Sequence, residues 1–263
     1  MALFNNSIIF ILGASIGSFL NVLIDRLPKD ESINGRSHCD YCQKKITWYD
    51  LIPVLSFFIL GGETRCCGKK LSWQYPVVEM ITGIVFILIT NNKYLITAPG
   101  FRYWLLVIGY LGVFSCLIVI FFSDLKYHLI SDYILIALFI FSFIYHLANF
   151  IRFHLILSNF IPSGLAVAFP IWLIYFLSRE RTMGLGDVYL SANIGFLLGW
   201  KAGFLALYIA FVTGAVFGLL MIILKNKKLK SKIAFGPFLV IGTIIMLFYG
   251  NKVWEVIANI YRF

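Results

Sequence analysis

Uncharged apolar runs separated by short polar breaks dominate this chain. A bilayer span needs about 20 apolar residues, since each helical residue rises only about 1.5 Å. The pattern predicts eight spans: Ser7–Ile24, Tyr75–Thr90, Tyr103–Phe122, Tyr133–Ile151, Asn159–Leu177, Val188–Trp200, Gly203–Leu224 and Ala234–Tyr249. The sixth is short and flanked by glycine, so it is expected to be tilted, buried in protein or incomplete as a span. Gly13, Gly17, Gly214 and Gly218 fall within spans, where a missing Cβ permits close helix contact. The fold class read from this pattern is all-α, a polytopic membrane helix bundle of about eight spans. The only long polar stretch, Asp25 to Gln74, holds four of the five cysteines and is too long for a bare connector. It is expected to form a small cytoplasmic loop module. The chain then divides into a first span (1–25), a cysteine loop (26–74) and a membrane core (75–263).

Composition supports this reading. Hydrophobic residues make up 60% of the chain and charged residues only 13%, too little polar surface for a soluble domain of this size. Met1 to Asn6 lacks a basic start and no small-residue cleavage site follows, so the first run is expected to remain as a membrane helix. The net charge of +10 is best explained by basic loops, because Lys and Arg concentrate on the cytoplasmic side. With the N-terminus outside and the spans alternating, 16 of the 22 basic residues fall on inner segments. The densest group, Lys225 to Lys232, reads as a topology determinant that meets anionic lipid headgroups. Membrane lipid, not nucleic acid, is the expected partner of this charge.

Acidic residues are few, so their positions matter. Asp124 directly follows the run Ile120-Phe121-Phe122-Ser123. Asp187 ends Gly184-Leu185-Gly186-Asp187 at the head of another apolar run. Both fall at the inner boundary, where a carboxylate is poorly solvated and needs a partner or a task. Two neighbouring carboxyls cannot both ionise, so such a pair shares one proton. The ionised member can draw a proton from water while the protonated member donates to a carbonyl. Gly184 and Gly186 would let a substrate backbone approach closely. Asp187 would be held in place if it capped the following helix. A lone aspartate at a helix end is more often a cap than a catalyst, and the spacing alone does not decide.

Several segments together do. Ser123-Asp124-Leu125-Lys126-Tyr127-His128-Leu129-Ile130-Ser131-Asp132 resembles the D-x6-[P]-D segment of the type IV prepilin leader peptidases, and Gly184 to Val188 resembles their G-x-G-D motif. Gly17 to Pro28, the paired cysteine loop, Leu71 to Glu79 and Phe235-Gly236-Pro237-Phe238 also match, in family order. The resemblance implies an intramembrane aspartic endopeptidase whose catalytic residues are Asp124 and Asp187. Asp132 matches the trailing aspartate and is expected to hold the loop, and Ser131 stands where the family often has Pro. Gly184, Gly186 and Asn21 are the expected substrate-binding residues, Asn21 as a lining of the peptide channel, although packing or capping is the simpler role for it.

The implied substrates are prepilin or pseudopilin chains, cut after a Gly between a short basic leader and an apolar helix. The implied location is the bacterial cytoplasmic (inner) membrane, multi-pass, with the active site at the cytoplasmic face. Many family members also methylate the new N-terminus with S-adenosylmethionine. No Gly-rich Rossmann fingerprint is present, and the first loop and Glu79 are candidate contributors, Glu79 alternatively pairing with Lys69 or Lys70.

The cysteines depart from the family. Cys39-Asp40-Tyr41-Cys42 is a CxxC, and two such pairs would signal tetrahedral zinc. The second pair is altered: Thr64 stands where a cysteine is expected, and Cys66 adjoins Cys67. Adjacent ligands on one metal would need a contorted backbone. Cys39, Cys42, Cys66 and Cys67 are the candidate metal ligands, with His38 as a substitute for Cys66, while free thiols or a redox pair remain alternatives. Cys116 lies in a span and reads as packing. His128, His146 and His154 have no motif around them. Two competing functions are a proton-coupled transporter, which should show acids near span centres and repeated halves, and a membrane scaffold, in which both aspartates would be dispensable.

Overall fold

A polypeptide in lipid must satisfy its backbone polar groups internally, and helices do so segment by segment. The computed structural model describes residues 2–39, 41–92, 100–153, 160–179, 183–224 and 234–261. Lys225 to Lys232, Arg181, His154 and Lys93 lie outside the described residues. The described chain is all-helical: α1 (Ala2–Arg26), α2 (Leu55–Ile59), α3 (Gln74–Thr90), α4 (Gly100–Tyr127), α5 (Asp132–Phe153), α6 (Phe160–Ser178), α7 (Leu185–Leu198), α8 (Trp200–Ile223) and α9 (Gly236–Tyr261). Among them, α1, α4, α5, α6 and α8 are long and apolar enough to cross a membrane. Shorter apolar helices are α3, α7 and the Gly236–Gly250 part of α9. Each expected span thus has its helix, and the ends shift by a few residues except in α9, whose helix continues past the apolar part to Tyr261. The sixth is indeed short, 14 residues, because Gly199 at φ 79° ends α7 and turns the chain directly into α8.

Two compact units make up the chain, Met1–Phe122 and Ser123–Phe263. In the first, α1 and α3 pair antiparallel through glycine. A Cβ on Gly13 would come within 2.9 Å of the Gly83 Cα, and one on Gly17 within 2.7 Å of the Glu79 Cα. Backbones this close gain the van der Waals contact that holds helices together in lipid. Gly214, by contrast, faces only ordinary contact with Phe238. The loop between α1 and α3 adds two 3-10 turns, Leu27–Lys29 and Trp48–Leu51, and the short α2.

In the second unit α7 is the central helix, in contact with α5, α6, α8 and α9. Leu190, Ser191 and Ile194 are almost wholly buried, as expected of a helix apolar on every face. Sequence reading did not single out Gly164 and Gly195, yet they bring α6 and α7 into close backbone contact. A Cβ on Gly195 would meet the Ser163 carbonyl oxygen at 2.5 Å. Buried His146 of α5 has its Nε2 2.8 Å from the Phe196 carbonyl oxygen, which ties α5 to the end of α7.

Candidate active site

Asp124 sits in the last turn of α4 and is 6% exposed. The chain leaves α4 through His128, whose φ of 54° and N–H···O bond to the Asp124 carbonyl close the helix in a left-handed cap. The Ser123 hydroxyl donates to the Leu129 carbonyl oxygen at 2.9 Å, and the Ser131 carbonyl accepts from Ile134 and Leu135 as α5 begins. Asp132 is exposed in the first turn of α5, where a negative charge suits the helix dipole.

The Asp124 carboxyl is held from another element. Gly236, the first residue of α9, donates its N–H to Asp124 Oδ2 at 2.9 Å. The first N–H groups of a helix have no partner within it, so this carboxyl occupies a ready anion site. Glycine allows this approach, because a Cβ at position 236 would lie 2.6 Å from Asp124 Oδ2 and the carboxyl would have to shift. Sequence reading had Gly236 only as part of a matching segment, without a role.

Asp187 is half-buried in the first turn of α7. It helps to cap the helix, though from within a capping box and not as the cap residue itself, which is Gly184. The Asp187 side chain reaches back from the third helical position, and Gly184 N–H donates to Asp187 Oδ2 at 3.3 Å. Gly186 packs on Ile130 of the α4–α5 connection, where an added Cβ would sit 3.1 Å from the Ile130 Cβ. Ile130 thereby joins the two aspartate motifs, a contact that no pattern in the sequence signals. The Asp124 charge is felt at Asp187, and His128 bears on Asp124 in the same way. The second unit therefore brings Asp124, Asp187, Gly184 and Gly186 together, with Gly236 as an unforeseen member.

Asn21 belongs to the first unit. It is buried, its amide donates to the Tyr75 carbonyl oxygen at 3.1 Å, and its Oδ1 accepts from Gln74. Glu79 pairs with neither Lys69 nor Lys70. Its carboxylate accepts from the Val54 N–H at 2.7 Å and from the Ser18 side chain.

The four loop cysteines converge, with all four sulfurs within 4.8 Å of one another. Two matching turns bring them there. Around Cys39, its N–H donates to Lys44 O, Gln43 N–H returns to Cys39 O, Gln43 is left-handed at φ 58°, and His38 bridges Lys45. Around Thr64, its N–H donates to Lys69 O, Gly68 N–H returns to Thr64 O, Gly68 is left-handed at φ 65°, and Glu63 bridges Lys70. Thr64 thus stands where the first turn has Cys39, and Cys67 where it has Cys42. Cys66 supplies the fourth sulfur from inside the turn, and neither Cys66 nor Cys67 has a left-handed backbone. The contorted backbone expected for adjacent ligands is not required, and His38 is not part of the cluster.

Sulfur separations are 3.8 Å for Cys39–Cys67 and 3.2 Å for Cys42–Cys66. Tetrahedral zinc at about 2.3 Å from each sulfur sets them about 3.8 Å apart. The Thr64 hydroxyl, 3.1 Å from the Cys67 sulfur, brings that thiol down to about 7, whereas the hydrogen bond with Cys42 pushes Cys66 up to about 12.

A family model described as the Bacterial Peptidase A24 N-terminal domain matches residues 11–92, and one described as the Type IV leader peptidase family matches residues 111–219. The chain is 31% identical over 261 residues to a prepilin leader peptidase/N-methyltransferase of Pectobacterium carotovorum subsp. carotovorum, covering 89% of each. It is 34% identical over 208 residues to the like-named protein of Klebsiella pneumoniae, covering 74% of this chain and 86% of that one. A third relative of that name, from Bacillus subtilis (strain 168), is 29% identical over 252 residues, covering 94% and 95%. No solved structure matches the chain.

Proposed function

This chain belongs to the type IV leader peptidase family of bacterial multi-pass membrane proteins, and from that premise we propose that it removes the leader of prepilin-like chains and methylates the exposed N-terminus. The observation that carries the reading is the carboxyl pair. Asp124 is fixed by the Gly236 N–H and Asp187 by the Gly184 N–H, Gly186 packs on Ile130 beside the Asp124 turn, and the Asp124 charge is felt at Asp187. One carboxylate takes a proton from water as its oxygen attacks the scissile carbonyl carbon. The other, carrying a proton, donates it to the carbonyl oxygen. Collapse of the tetrahedral intermediate breaks the C–N bond, and a proton passes to the leaving amine. Exposed Gly184 presents backbone without a side chain beside the pair, which suits an extended peptide segment.

The charge bias of the loops supports an active site at the cytoplasmic face of the inner membrane. Cys39, Cys42, Cys66 and Cys67 would hold zinc, which when bound crosslinks the two turns of the loop. The methyltransferase name of the relatives implies S-adenosylmethionine as methyl donor. The described residues contain no strand–turn–helix cradle of the Rossmann kind for it.

The direct test is incubation of the purified chain in proteoliposomes with a prepilin-type substrate and S-adenosylmethionine, followed by mass analysis. The expected products are the free leader and a mature chain heavier by one methyl group. Intact substrate would sink the reading, and a cleaved but unmethylated chain would sink its second half. A sharper expectation concerns Gly236→Ala. The new Cβ must displace the Asp124 carboxyl, and a displacement of about 1 Å at a reacting group costs roughly 10²-fold in rate. Cleavage by this variant at the normal rate would show that the contact with α9 does not position the pair.

A further inference from the structure

The loop between α1 and α3 holds a segment that neither the cysteines nor the carboxyl pair uses. Over residues 48–60, Trp48, Leu55, Phe58 and Ile59 are 78, 60, 57 and 78% exposed. So many large apolar side chains in so short a run mark an interaction surface. Only Phe57 of α2 turns inward, where it is buried against Trp73.

The depth of Glu79, measured along each of the two membrane helices, gives the level of this segment. Val54, the cap residue of α2, is bonded to Glu79, which lies five residues inside the start of α3, or about 7.5 Å of helix rise. Glu79 in turn lies against Gly17, nine residues before the end of α1, or about 13.5 Å of rise. A helical side chain leans toward its N-terminus, so the Glu79 carboxylate recovers a part of that depth, but not all of it. The chain therefore leaves α1, returns below the level at which both membrane helices end, and starts α2 there.

The backbone at this point is unusual in a consistent way. Val54 has φ 62° and ψ −52°, a strained conformation for a β-branched residue. Irregular backbone at membrane depth persists where protein groups satisfy it, and the buried Glu79 carboxylate does so. Asp50, in the 3-10 turn before α2, pairs with Arg65 at 3.0 Å and so fastens the segment to the second cysteine turn.

We propose that residues 48–60 form a re-entrant wedge whose occupant is the phospholipid bilayer. Leu55, Phe58 and Ile59 lie among the upper acyl chains, Trp48 lies at the headgroup level, and Glu79 is the latch that holds the wedge down. Insertion of about 5–10 Å, as for interfacial amphipathic helices, matches the level given by the depth of Glu79. Tryptophan at the rim is the usual interfacial anchor. The cysteine turns then rest on the membrane surface.

The test places a genetically encoded fluorescent residue at Ile59, and in a second chain at Lys44 of the first cysteine turn, in proteoliposomes of phosphatidylcholine and phosphatidylglycerol. Lipids carrying a shallow doxyl group should quench the probe at 59 several-fold more than the probe at 44. Aqueous iodide should do the reverse. Glu79→Ala should open position 59 to iodide, while Glu79→Gln, which keeps an oxygen for the Val54 N–H, should leave it shielded. Equal iodide quenching at both positions would overturn the proposal. Shielding of position 59 from both quenchers would overturn it too, since protein would then cover the wedge. An unchanged Glu79→Ala profile would remove the latch.

Discussion

Asp124→Asn and Asp187→Asn are each expected to slow leader cleavage by about 10²–10⁴-fold, the range for loss of a positioned acid or base. Asparagine keeps the shape of the side chain and an oxygen that can still accept the backbone N–H. At position 124 that donor is Gly236, and at position 187 it is Gly184. The local geometry therefore survives and only the proton chemistry is removed. Because both groups serve one proton cycle, the double variant should be no slower than the slower single variant, as for residues that act as a unit. Asp132→Asn is the internal control: that carboxyl is exposed at the start of α5, and its loss should leave the rate unchanged. Methylation of a substrate supplied already cleaved should continue in all four variants, which shows that the chain is inserted and folded. Normal cleavage by either single variant would return the transporter and scaffold readings to consideration.

The sequence made the helices legible because span length is set by the bilayer, not by tertiary detail. Each predicted run holds its helix, and even the short α7 could be foreseen from its flanking glycines. The aspartates stood out because an acid beside an apolar run is costly and therefore rare, but only the resemblance of several segments to one family singled them out as a pair. The partners of those aspartates were not legible. Gly236 lies 112 residues from Asp124, and nothing in its local pattern says that its N–H meets a carboxyl. Ile130 under Gly186 is likewise an ordinary apolar residue until the two connections are folded together. Glycines show the same limit. Gly13 and Gly17 make the expected close contact, but Gly195 and Gly164 make it as well without having been foreseen, and Gly214 makes none. Which glycine faces a neighbour depends on the crossing of two helices, which a single run of sequence does not carry.

The cysteine loop yields the second large effect, and the altered pair is what makes it informative. The purified chain is expected to carry one zinc, read by elemental analysis, and Cys66→Ser is expected to weaken its retention by at least roughly 10²-fold. Losing an outer partner of a metal ligand already costs 10–100-fold, and the loss of a ligand itself should cost more. Thr64→Cys in the Cys66→Ser chain should restore the metal, because position 64 occupies in the second turn the place of Cys39 in the first. The two backbone bonds of that turn use the Thr64 main chain and survive the exchange, and the bond from the Lys69 N–H to the Thr64 hydroxyl is lost. A redox pair predicts the opposite pattern: no zinc in the parent chain, and no rescue by a thiol at position 64. His38 offers a further discrimination. It lies outside the cluster, so His38→Ala should leave the zinc content unchanged, whereas a site completed by histidine would lose it. Leader cleavage should persist through the whole series, because Asp124, Asp187, Gly184 and Gly236 all belong to the second unit and the four cysteines to the first. Loss of cleavage along with the metal would mean that the loop supports the carboxyl pair as well as itself.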